Sequence, residues 1–255
     1  MFIRFGHQTQ DKARDERAVA VLPLAAMETH GPHLPLATDA LIADGILDRA
    51  AELATGPHEV LRLPLLWLGA STEHADRAGT LSQEPEALIA QIVSIGEGLA
   101  KCGITRIVLF NGHGGNIAPA SLAALKLRTR FNMLAASAHW LDFGLPQDMV
   151  PPAPLAGDVH GGWVETSVLL HLSPDLVVRG AVADRPASPP APSLFPSGPI
   201  NWGWKTDDLA TQGGDGGWIG HARLADPALG ARIVDHAARA LNTLLEEIAA
   251  VVWRP

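Results

Sequence analysis

The 255-residue chain has one cysteine, Cys102, and no tyrosine, against eleven histidines. A single thiol excludes an intrachain disulfide and suits a reducing compartment. Cys102 stands in GLAKCGITRIVLF, between a helical pattern and a strand pattern, where a small buried thiol is expected rather than a nucleophile. Positive charge is also scarce: 19 Lys and Arg against 27 Asp and Glu leave a formal charge of −8. The densest cationic stretch, KLRTRF, reads as the outer face of a helix, so nothing suits a phosphate backbone and no nucleic-acid partner is expected. No apolar run approaches the ~20 residues that cross a bilayer, so no membrane partner is expected either. The first residues lack the basic, apolar and small-residue succession of a secretory leader, and a soluble cytoplasmic protein is expected.

What is present is a globular composition, 47% hydrophobic and 18% charged, with a length suited to one domain over residues 1–255. Apolar runs at 18–26, 60–69, 106–112 and 132–140 read as strands. Helical patterns at 38–54, 85–103 and 116–131 separate them, with Thr38 or Asp39 as a cap and Pro85 near a helix start. This alternation predicts an α/β fold with a mostly parallel sheet, helices on both faces and right-handed crossovers. A short helix over 161–172 and a long amphipathic helix over 226–253 follow, while the proline-rich stretch 184–204 is expected to be irregular and packed over a site or against another subunit.

Ligands bind beyond the carboxyl ends of strands in open parallel sheets. Three polar clusters follow strands here: Glu28 to Asp39, GASTEHADRAGTLS (69–82) and NGHGGN (111–116). Glu28, His30, Asp39 and His113 offer oxygen and nitrogen donors suited to zinc, manganese or iron, and a carboxylate such as Asp39 can bridge two ions. Asp39 alone would be read as a helix cap; together the four favour a metal. NGHGGN alone would equally suit an anion-binding nest. GDVHGGWVETS adds Asp158, His160 and Glu165. His160 suits polarising a carbonyl or protonating a leaving nitrogen, and Glu165 suits a ligand, a base or a carboxylate that orients a ligand histidine. Glu73 and His74 either line the substrate pocket or support the ligands from behind. Trp163, Trp202, Trp204 and Trp218 could stack on a flat substrate, though core packing suits most of them better.

Together these residues resemble the creatininase (creatinine amidohydrolase) family. The likeness rests on LPLAAMETHGPHLPLATD, STEHADRAGTLS, RIVLFNGHGGN and HGGWVETS, in the family's order and spacing, from about residue 18 to the last helix. It implies a three-layer α/β/α fold and hydrolysis of non-peptide carbon–nitrogen bonds in small or cyclic amides. It also implies a binuclear metal site and a homohexamer built as a trimer of dimers. By position, Glu28, Asp39 and His113 would bind one ion, and His30 and Asp39 the other, with His160 beside the substrate. No ligand role maps to His33.

The chain departs from creatininase itself at several positions. Gly114 and Gly115 stand where a Tyr and a Glu follow the motif histidine, so Glu165 or water has to complete the second metal's shell. Ala156 and Gly157 replace a Trp-Asp pair, and Arg77, Ala78, Gly79 and Thr80 replace Phe-Pro-Gly-Thr. These changes point away from creatinine. NGHGGN is the form seen in relatives that open formamidopyrimidine intermediates and in the peptidase of the mycofactocin pathway. The expected function is a metal-dependent amidohydrolase in which hydroxide held by two divalent ions attacks the amide carbonyl. The alternatives are a formamide- or peptide-type hydrolase of cofactor biosynthesis, a non-catalytic phosphate-binding protein using the NGHGGN loop, and a family member that uses its metal only for assembly.

Overall fold

Side chains two apart on a strand face the same way, and this period divides the core into two layers. The computed structural model describes residues 1–10, 12, 17–196, 202–209 and 216–253. Five strands pair in parallel in the order β1-β3-β2-β4-β5. They are β1 (Phe2–Arg4), β2 (Val19–Leu24), β3 (Val60–Arg62), β4 (Arg106–Asn111) and β5 (Leu134–His139). Val19, Val21, Val108 and Phe110 pack one face against α1 (Thr38–Leu53), α4 (Trp163–Leu172) and α5 (Pro227–Ala250). Ala20, Leu22, Leu24, Ile107 and Leu109 pack the other against α2 (Pro85–Lys101) and α3 (Ile117–Phe131). The chain therefore adopts the expected α/β/α sandwich around a parallel sheet.

Local signals explain most boundaries. Pro85 and Pro227 occupy first helical positions, and the Asp226 carboxylate accepts from the amides of Ala228 and Leu229. Asn132 ends α3 in the left-handed conformation, with φ 54°. Three expectations are corrected. Neither Thr38 nor Asp39 caps α1: Ala37 holds that position, and the Thr38 hydroxyl donates to the Pro35 carbonyl instead. The second strand is three residues long rather than ten, because Pro64 has no amide for the ladder, although Leu66 still donates to the Pro23 carbonyl. Within the stretch expected to be irregular, β6 (Asp184–Arg185) pairs antiparallel with β7 (Gly220–His221).

The register places the functional loops side by side. Leu24 lies opposite Asn111, and Asn111 opposite His139, so β2, β4 and β5 end level with one another. Asn116 then ties three loops together: its side chain accepts from the Ala70 amide at 2.9 Å and donates to the Ala25 carbonyl at 3.0 Å. From the other side, the Asp158 carboxylate accepts from the amides of Trp163 and Val164 and anchors the start of α4.

Candidate metal centre

Beyond those strand ends Glu28, His30, Asp39, His74, His113 and His160 are all buried. Asp39 Oδ1 lies 3.2 Å from His30 Nε2, and Asp39 Oδ2 lies 3.2 Å from His113 Nδ1. His113 Nδ1 is also 3.2 Å from Glu28 Oε1. Glu28 Oε1 stands within 3.9 Å of four histidines, with His30 Nε2 at 3.8 Å, His160 Nδ1 at 3.7 Å and His74 Nε2 at 3.9 Å. Glu165 Oε2 is 3.9 Å from His30 Nε2 and accepts the Gly161 amide at 2.6 Å. His30, Asp39 and Glu165 thus form one set of converging donor atoms, and Glu28, Glu73 and His113 another; Glu28, His30 and His160 form a third.

The outer nitrogen of each histidine is already engaged. His30 Nδ1 meets the Glu28 carbonyl at 3.2 Å, His113 Nε2 meets the Ala70 carbonyl at 3.1 Å, and His160 Nε2 meets the Thr29 carbonyl at 2.6 Å. A carbonyl only accepts, so each of these nitrogens carries its proton and donates. Each ring therefore turns its other nitrogen toward the carboxylates. Electron pairs face electron pairs there unless a positive charge stands between them. Among the described residues, none meets Glu28 Oε1, Glu28 Oε2, His30 Nε2 or Asp39 Oδ2 in hydrogen-bonding geometry. Buried polar atoms are rarely left so, and a divalent cation satisfies all of them at once. The donor set of imidazole and carboxylate suits zinc, manganese or iron.

The electrostatics agree. Burial drives the Glu28 carboxyl upward, yet the facing His113, His74 and His160 hold it well below its usual value. Burial opposes charge on His30, but Asp39, Glu165 and Glu28 raise it to about 9. His113 is raised well above its usual value, against its burial, mainly by Glu28 and Asp39. Those are the protons that a cation displaces. Burial, with help from His74 and His30, keeps His160 neutral, and burial pushes Glu165 up to about 7.

Glu73 Oε1 lies 3.5 Å from His113 Nε2, the nitrogen that also meets the Ala70 carbonyl. It stands in the space that a side chain at position 115 would need. A Cβ on Gly115 would come within 2.5 Å of both Glu73 Oε1 and His113 Nε2, and would strike the Ala70 carbonyl. A carbonyl and a carboxylate pressed on this loop also oppose its use as an anion nest. His33 is buried outside the cluster and ties loop to loop: Nε2 meets the Gly161 carbonyl at 2.9 Å and the Thr166 hydroxyl at 3.2 Å. Trp163 does not line a pocket. It is fully buried in the apolar core shared by α1, α4 and α5. Trp204 stands edge-on to His74 with ring centres 6.1 Å apart, and Trp218 edge-on to His33 at 5.9 Å.

Sequence reasoning missed Asn111, Asn116 and Thr206. Asn111 brackets His113, donating to its carbonyl at 2.6 Å and accepting from its amide at 3.1 Å. Both asparagines flank the glycines of NGHGGN, a signal that was present. Thr206 sits in Lys-Thr-Asp-Asp, a charged run that reads as solvated surface.

Residues 7–245 match the family model described as creatininase, creatinine amidohydrolase. The chain is 37% identical over 199 residues to a mycofactocin precursor peptide peptidase of Mycobacterium tuberculosis (strain CDC 1551 / Oshkosh), covering 75% of this chain and 73% of that protein. It is 32% identical to a creatinine amidohydrolase of Pseudomonas putida, covering 71% of this chain and 75% of the other. A manganese form of creatininase superposes with a TM-score of 0.76 at 25% identity, over 98% of this chain and 99% of that one. A zinc–zinc form of a creatininase mutant gives 0.74 at 26% identity, over 98% of each chain. The chain is a member of the creatininase family.

Proposed function

We propose that this protein is a metal-dependent amidohydrolase that cleaves the carbon–nitrogen bond of a small or cyclic amide. The observation that carries this reading is the set of locked histidines that turn their free nitrogens on Glu28 and Asp39. Glu28, Asp39 and His113 are the ligands assigned to one divalent ion, and His30, Asp39 and Glu165 those assigned to the other. Solved relatives in manganese and zinc–zinc forms support two ions of that kind. Such ions polarise a carbonyl and lower the pKa of water.

The chain's own residues supply the rest. His160 is fixed by the Thr29 carbonyl with Nδ1 bare, so that nitrogen is placed to relay a proton at the departing nitrogen. Glu165 accepts the Gly161 amide at 2.6 Å, which fixes its carboxylate beside His30 as the second ion's assigned ligand. Glu73 backs His113, while His74 faces the space in front of Glu28.

A second reading within the same chemistry is favoured by one comparison. The 37% identity to a mycofactocin precursor peptide peptidase, with glycines at 114 and 115, supports a peptide- or formamide-type substrate over creatinine. We assign the protein to the cytoplasm as a homohexamer, a trimer of dimers, with residues 1–255 acting as one domain. The family resemblance supports the assembly, and no helix among the described residues is long and apolar enough to cross a membrane. The test is a hydrolysis screen of the zinc- and manganese-loaded protein across cyclic amides, formamides and short peptides, with Asp39→Ala as the blank. Metal-dependent turnover absent from the blank is expected. Full metal loading with no turnover on any class would overturn the reading.

A further inference from the structure

We infer that Thr206 fixes the tautomer of His74, making His74 Nε2 a hydrogen-bond acceptor that, with His160 Nδ1 and Glu28 Oε1, forms a pocket for an amide N–H. Thr206 is 132 residues from His74 in sequence and 1% exposed, in the short turn Thr206–Leu209. Its hydroxyl stands 2.7 Å from His74 Nδ1 and 3.4 Å from the Glu73 carbonyl. We assign the hydroxyl's one proton to the carbonyl, which can only accept, so that Nδ1–H donates to the hydroxyl. A neutral imidazole has only one N–H, which leaves Nε2 bare. That nitrogen lies 3.9 Å from Glu28 Oε1, too far for a direct hydrogen bond.

The ring is held in this pose by its neighbours. His74 stacks on His160 with centroids 4.1 Å apart and planes 21° from parallel, and His160 in turn lies 4.2 Å from His30. The segment that carries Thr206 is pinned to the His74 loop by Arg77 with Asp207 and by Lys205 with Asp76. Three acceptors therefore converge with no hydrogen among them: Glu28 Oε1, His74 Nε2 and His160 Nδ1, the histidine nitrogens 3.9 and 3.7 Å from the oxygen. The ion assigned to Glu28 leaves His74 Nε2 and His160 Nδ1 still bare, and the group that satisfies them brings its own hydrogens. Resting on the amidohydrolase reading, that group is the departing nitrogen of a primary or secondary amide, and tertiary amides are excluded.

The experiment reads the tautomer directly, so it needs no turnover and fails or succeeds apart from the assigned reaction. Imidazole 15N–1H correlation spectra are recorded on the zinc-loaded protein as wild type, Thr206→Ser and Thr206→Val. Wild type and Thr206→Ser should show His74 protonated on Nδ1, and Thr206→Val should shift the ring to a mixture of tautomers. Wild-type His74 protonated on Nε2, or a valine variant identical to wild type, would overturn the lock. Acetamide is then titrated against its isostere acetone. Acetamide alone should shift the bare nitrogens of His74 and His160. Equal shifts from both, or shifts from neither, would overturn the N–H pocket.

Discussion

Asp39 Oδ1 sits 3.2 Å from His30 Nε2, while the other oxygen of the same carboxylate reaches His113 at the same distance. One side chain thus joins a loop that follows β2 to a loop that follows β4, from the first turn of α1. Its placement explains why Asp39 is buried instead of capping its helix, and it puts a bridge between two clusters of donors. Replacing Asp39 by Ala should remove both assigned ions together. Elemental analysis should fall from about two ions per chain, the number a bridging carboxylate serves, to well under one. Retention of both ions would remove the bridging role.

His160 is assigned to moving a proton and not to holding an ion. His160→Gln should therefore keep its metal content while turnover falls about 10²- to 10⁴-fold, the usual worth of general acid–base catalysis. Loss of one ion in this variant would instead make His160 a ligand, as the grouping of Glu28, His30 and His160 would allow.

The glycine at 115 is demanded by its neighbours. In Gly115→Ala the added Cβ meets Glu73, His113 and the Ala70 carbonyl, and backbone cannot yield as a flexible side chain does. Overpacking of this kind costs about 1–3 kcal/mol. A lowered melting temperature and weaker metal binding are expected. A variant as stable as wild type would show that the loop carrying Glu73 moves freely.

Much of this centre was legible before any coordinates. Glu28, His30 and Asp39 share twelve residues after an apolar run, and His113 lies in a motif that opens a helix, so alternation of strands and helices was enough to bring them together. Glu73 was named, but its relation to Gly115 depends on how far one loop leans over another, which has no sequence period. Thr206 was invisible because a threonine between Lys205 and Asp207 reads as exposed surface, and its value comes only from a contact 132 residues away. β1 escaped for a simpler reason: three residues are too few to show alternation. Trp163 could be read either as stacking on a substrate or as core, and only the helix face it occupies, fully buried in the core, decides for core.

His33 provides a pH signature away from the assigned ligands. Burial lowers its pKa from 6.5, outweighing the help of the Gly161 carbonyl. The unfolded chain therefore binds the proton more tightly than the folded one does. The stability contributed by neutral His33 is fully present above about pH 6.5 and is lost as pH falls below it, toward the folded-state value. In urea titrations, the stability difference between wild type and His33→Gln should shrink or reverse between pH 8 and pH 5. A difference that stays constant over that range would contradict the assignment of His33 as a buried neutral tie.

Two divalent ions are assigned to one carboxylate, Asp39. Crystals grown with zinc, measured at the zinc absorption edge, test this assignment most directly. Two anomalous peaks per chain are expected, one among Glu28, Asp39 and His113 and one among His30, Asp39 and Glu165. A single peak, or any pair that does not share Asp39, would contradict it.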